Sequence, residues 1–187
     1  MAHALHSPLH LFDYLAFEDA SPTRHEFVDG SIHAMTGGTL RHNRIALNVY
    51  DLLKARFDGT PCQVFVNDVK VHVESTNSVY YPDVLVYCGS SVAGGDKLIR
   101  DALLVIEVTS ESSEGIDRRE KRMAYRKLPG LQAYWVVDQT ERSVEVHTRD
   151  AAGTWLMRTL GPGDALAVPD ATELPVASLY KGTDIAL

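Results

Sequence analysis

Two carboxylates stand where a carboxylate is costly. Glu107 interrupts the apolar run Leu103-Leu104-Val105-Ile106-Glu107-Val108. That run is short, β-branched and continuous, the pattern of a buried strand. Asp83 heads a second run, Tyr81-Pro82-Asp83-Val84-Leu85-Val86-Tyr87. An ionised carboxylate in such surroundings needs a cation or hydrogen-bond donors. Two strands that each bring one to the same place make a site for a hard cation, Mg2+ or Mn2+. The Val108 carbonyl is a candidate third ligand. A downstream helix carries Lys121. Two carboxylates with a lysine are the chemistry of metal-assisted phosphodiester cleavage.

Each residue also has a plainer reading. Asp83 fits a strand-start aspartate satisfied by nearby backbone donors. Glu107 fits a buried ion pair with an arginine, or a strand end reaching solvent. Lys121 fits a surface helix charge, and Glu26 a hairpin residue facing water. His42, after Arg41 at the start of a long helix, is a candidate phosphate or site contact, and equally an ordinary surface histidine. No HExxH spacing, GxSxG elbow or P-loop is present.

These residues need elements to position them. Ser7-Pro8 reads as the opening of a helix through about Glu18. His25–Val28, the turn pair Asp29-Gly30, and Ser31–Met35 read as a hairpin. Gly37-Gly38-Thr39 leads into the strongest helix, with Ile45, Val49, Leu52, Leu53 and Phe57 at helical spacing. Strands are expected at Cys62–Val66, Val69–Val73, Val79–Tyr87 and Ala102–Val108, with Ser90–Arg100 as a polar loop. The loop Thr109–Gly115 then caps a helix from Ile116 to Leu128, ended by Pro129-Gly130. On it Asp117, Lys121 and Tyr125 lie four apart and share one face. Ala133–Asp138, Val144–His147 and Trp155–Leu160 read as further strands, and Val176–Tyr180 as a short apolar piece. The order suggests an α/β sandwich around a mixed central sheet flanked by helices, in a single domain over 1–187.

The chain has 187 residues, a net charge of −7 and 45% apolar residues. That balance argues against a passive nucleic-acid coat protein. Locally it reverses, for six of the 18 basic residues fall between Asp117 and Lys127. No apolar run is long enough to span a bilayer, and the first residues lack a signal-peptide pattern, so the expectation is a cytoplasmic protein with no membrane. Cys62 and Cys88 have no CxxC spacing. Buried free thiols are the expectation, with a disulfide as the alternative.

Tyr-Pro-Asp at 81–83, Ile-Glu-Val-Thr-Ser at 106–110, Asp117 with Lys121 and Tyr125, and Tyr-Trp-Val-Val-Asp at 134–138 occur in that order. With His-Glu-Phe-Val-Asp-Gly at 25–30, they resemble the Uma-type family of putative restriction endonucleases, in the PD-(D/E)xK nuclease superfamily. The resemblance implies a restriction-endonuclease-like fold and Mg2+- or Mn2+-dependent phosphodiester hydrolysis, with DNA as substrate. Asp83 and Glu107 match the two acidic positions. The superfamily pattern places lysine two residues after the acid, where this chain has Thr109. Lys121 matches a lysine supplied instead by the following helix, and Asp117 is expected to fix it. Glu26 matches an early acidic position and is expected to serve a second metal or a water on the metal. Arg41, His42, Asp117 and Tyr125 are candidate substrate contacts. Nucleases of this kind act on two strands, which makes a homodimer the expectation. Three other classes fit the same residues. One is a catalytically silent DNA- or protein-binding module of this fold. Another is a metal-dependent hydrolase of RNA or small nucleotides. The third is a structural or assembly protein that kept the fold.

Overall fold

A computed structural model describes residues 9–89, 94–109, 116–169 and 172–185, with backbone alone at 116–118. The expected helix start at Ser7-Pro8, the residues 110–115 and the side chain of Asp117 lie outside the described residues. Helix α1 is Leu11–Ala20, with His10 as N-cap. The hairpin forms as β1 (His25–Val28) and β2 (Ser31–Ala34). Its turn holds Asp29 at φ 43° and Gly30 at φ 86°, both in the left-handed region that Asp-Gly turns tolerate. Helix α2 is Leu40–Phe57, and its N-cap Thr39 accepts a hydrogen bond from the His42 N–H.

Next come β3 (Gln63–Val66), β4 (Lys70–Val73), β5 (Ser78–Tyr80), β6 (Val84–Tyr87), β7 (Leu98–Ile99) and β8 (Leu104–Val108). Helix α3 (Ile116–Tyr125) leads to β9 (Ala133–Val137), β10 (Val144–Arg149) and β11 (Trp155–Leu160). The chain then forms β12 (Ala165–Ala167), β13 (Glu173–Pro175) and the short helix α4 (Val176–Leu179).

A six-stranded mixed sheet runs β11-β10-β9-β8-β6-β3, and a five-stranded one runs β2-β1-β5-β4-β7. Within the larger sheet only the β8–β9 pair is parallel. Val84, Val86, Leu104, Ile106 and Trp135 face α2 and α4 on one side of it. Leu85, Val105, Tyr134 and Val136 face the smaller sheet and α3 on the other. The period of two along β8 therefore turns Glu107 toward α3.

Three expectations change. The run 79–87 is not one strand but β5 and β6, in different sheets. Pro82 between them lacks an N–H, so Tyr81-Pro82-Asp83 crosses between the sheets where a ladder would be interrupted anyway. The polar loop 90–100 contains β7, which pairs in parallel with β4 at Lys70↔Leu98 and Val71↔Ile99. Cys62 and Cys88 are not free thiols: they form a disulfide. They continue the antiparallel register of β3 and β6, one step beyond Gln63↔Tyr87, so pairing brings them face to face.

Candidate active site

Asp83 and Glu107 approach one cavity from neighbouring strands. Val84 of β6 pairs with Ile106 of β8, which brings the start of one strand beside the end of the other. The cavity has a volume of about 510 Å³ and is lined by Asp83, Glu107, Val108 and Lys121 together with His42, Asn43, Asn67 and Tyr81.

Asp83 Oδ2 accepts a 2.7 Å hydrogen bond from the Val108 N–H. The same oxygen lies 3.3 Å from His42 Nε2. Burial works against a charged His42, but the hydrogen bond and charge of Asp83, with the Val108 carbonyl, outweigh it and raise its pKa. Gly38 leaves room for the His42 ring, since a Cβ there would come within 2.9 Å of its Nδ1. The Asn67 N–H donates to the Asp83 carbonyl at 2.9 Å, which ties the β3–β4 turn to the strand start.

Glu107 Oε1 accepts a 2.8 Å hydrogen bond from the Tyr125 hydroxyl and lies 3.7 Å from Lys121 Nζ. Burial pushes its carboxyl up to about 8; Lys121 opposes the shift, Asp83 and Glu26 add to it, and the Tyr125 hydrogen bond opposes it. Tyr125 is fully buried and packs its ring 5.3 Å from that of Tyr80 and 5.5 Å from that of Tyr134.

Lys121 is no surface charge: only 12% of its side chain is exposed. Its ammonium lies 2.7 Å from Glu26 Oε1 and 5.8 Å from the centre of the Tyr80 ring. Glu26 is also buried and accepts from the Tyr81 N–H at 3.4 Å. The i,i+4 spacing of Lys121 and Tyr125 lets both reach Glu107 from one face of α3.

The structure thus brings together Asp83, Glu107, Val108, Lys121, Glu26, Tyr125 and His42. It does not bring Arg41 with them. That guanidinium holds Asp184 through two bonds of 2.7 and 2.8 Å and reaches the Gln139 carbonyl at 3.3 Å. Arg41 directly precedes His42, and successive residues on a helix point about 100° apart. Arg122, which shares no face with Lys121, pairs with Glu145 at 3.5 Å.

Sequence reasoning passed over Asn67 and Tyr81. Asn67 has φ 50° and Asp68 φ 55°. The Asn-Asp pair after a strand was the available turn signal. The Tyr81 hydroxyl donates to Glu18 at 2.7 Å, behind the cavity, and its place beside Pro82-Asp83 was the available signal.

Residues 11–177 match the Uma2 family, described as "Putative restriction endonuclease". An uncharacterised Synechocystis protein, slr1290, is 30% identical over 171 residues, covering 91% of this chain and 90% of its own length. A second one, sll1609, is 29% identical over 150 residues, covering 79% and 85%. The crystal structure of a putative nuclease of the DUF820 family from Anabaena variabilis shares the fold at a TM-score of 0.78 and 16% identity, over 92% of this chain and 98% of that one. The chain therefore belongs to the Uma2 family of putative restriction endonucleases, and it shares its fold with that putative nuclease.

Proposed function

We propose that this protein is a divalent-metal-dependent endonuclease that hydrolyses phosphodiester bonds in DNA. The observation that carries this reading is the meeting of Asp83, Glu107 and Lys121 at one cavity, with Glu107 made hard to ionise. The donor set fits Mg2+ or Mn2+. Both donors to Asp83 fall on Oδ2 and both cationic or hydroxyl partners of Glu107 on Oε1, leaving Oδ1 and Oε2 for a cation. Among the described residues no three His, Cys, Asp or Glu side chains form a ready metal cluster. Two carboxylates and the Val108 carbonyl suffice for an ion that keeps several waters.

A cation bound there would offset charge on the phosphate oxygens and make the attacking water more acidic. Lys121 would orient that water and stabilise negative charge developing at phosphorus. Glu26 would hold the Lys121 ammonium in place. Tyr125 would fix the Glu107 carboxylate, and His42 that of Asp83. Cutting both strands of a duplex takes two such sites, so a homodimer belongs to the proposal, and a monomer by light scattering in the presence of DNA would remove it.

The test is calorimetric titration of Mn2+, paired with cleavage of plasmid DNA. Wild type is expected to bind and cut. The double variant Asp83→Ala/Glu107→Ala should do neither. Lys121→Ala should bind Mn2+ and cut at least about a hundredfold more slowly. Normal cleavage by Lys121→Ala would overturn the lysine assignment. DNA binding with no cleavage under any divalent ion would favour a silent module.

A further inference from the structure

A second cavity, of about 700 Å³, opens beside the first between the start of α2 and the residues near the chain end. We propose that it holds the phosphates that follow the scissile one along the nucleic-acid strand; this rests on the nuclease reading above. Asn43 lines both cavities, so the two adjoin at the first turn of α2. Strand phosphates recur at about 3.4 Å of helix rise, and a strand lying across the first cavity carries its neighbours into the second.

The lining suits a group that only accepts hydrogen bonds. Arg44 is exposed and lines the cavity, and no described side chain pairs with it. Gln139 is only 5% exposed and lines the cavity too. Its Oε1 accepts from the Thr39 hydroxyl at 2.6 Å, while its amide N–H groups have no partner among the described residues. The Gln139 amide nitrogen is not among the buried unpartnered atoms, so its N–H groups are open to an acceptor in the cavity. The Asn43 side chain likewise has no described partner. The one carboxylate of the lining, Asp184, is occupied by both arms of Arg41. Arg41 thus neutralises the wall, and Arg44 supplies the net charge. Arginine and amide donors are the usual grips on a phosphodiester backbone.

The experiment measures binding of a fluorescein-labelled duplex by anisotropy in EDTA, where nothing is cut, over a series of salt concentrations. Arg44→Ala is expected to weaken binding about fivefold to tenfold and to lower the salt slope by about one, while Arg44→Lys keeps most of both. Arg56→Ala, at the far end of the same helix, should leave binding unchanged. Arg44 is exposed, and a thermal melt confirms that its variants fold. Wild-type affinity and slope in Arg44→Ala would overturn the inference alone, as would an equal loss in Arg56→Ala. Inorganic phosphate binding that depends on Arg44 without any effect on the duplex would also overturn it, in favour of a free anion. Failure of the wild type to bind or cut any DNA or RNA would instead overturn the nuclease reading.

Discussion

Lys121 Nζ lies 2.7 Å from Glu26 Oε1, across the gap between α3 and the first hairpin. The contact joins two segments far apart in sequence, and under the proposed function it gives Glu26 the task of anchoring the ammonium in place of a second metal. Glu26→Gln is expected to keep Mn2+ affinity and stoichiometry while slowing cleavage roughly tenfold to a hundredfold, because the ammonium loses its anchor. Loss of a bound Mn2+ in Glu26→Gln would restore the second-metal role. Glu26→Ala is expected to cost about 3 kcal/mol of stability, read by urea denaturation, since it removes a buried partner of a buried cation.

Glu107 ties stability to pH. Its carboxyl stands at about 8 in the folded chain against an ordinary 4.5. Between those values the folded state holds a proton that the unfolded state has released. The penalty is absent below the lower value and complete above the higher one, so stability should fall as pH rises through the window. Urea midpoints from pH 4.5 to 8.5 test this, and Glu107→Gln should flatten the slope. Mn2+ binding at pH 7 should release about one proton, seen as a dependence of binding heat on buffer.

Tyr125→Phe removes the 2.8 Å hydrogen bond to Glu107 and leaves the ring packing alone. A cost of about 1–2 kcal/mol is expected. That hydrogen bond lowers the Glu107 pKa. Its loss should therefore move the acid limb of the cleavage profile to higher pH. An unmoved profile would show that Tyr125 matters only for packing.

The Cys62–Cys88 disulfide spans 26 positions and joins the ends of β3 and β6. Thiol titration of the unfolded, unreduced protein should find no free cysteine. Reduction should cost about 3.5 kcal/mol, the loop-closure contribution expected for that span, and lower the melting temperature. Because Asp83 directly precedes β6, cleavage should be the first activity to suffer near the melt.

Local pattern was enough for α1, α2, α3, the hairpin and the buried β8 strand, because each follows from periodicity and turn chemistry within a few residues. Asp83 and Glu107 stood out for the same reason: a carboxylate in an apolar run is locally anomalous. What no local pattern carries is which strands share a sheet. The split of 79–87 into β5 and β6, the pairing of Cys62 with Cys88 and the distance from Lys121 to Glu26 all depend on chain crossings between the two sheets. Arg41 and His42 show the limit most plainly. They are neighbours in sequence, yet one closes on Asp184 and the other on Asp83. A helix turns successive side chains about 100° apart, and only the packing around α2 decides which of the two meets the site.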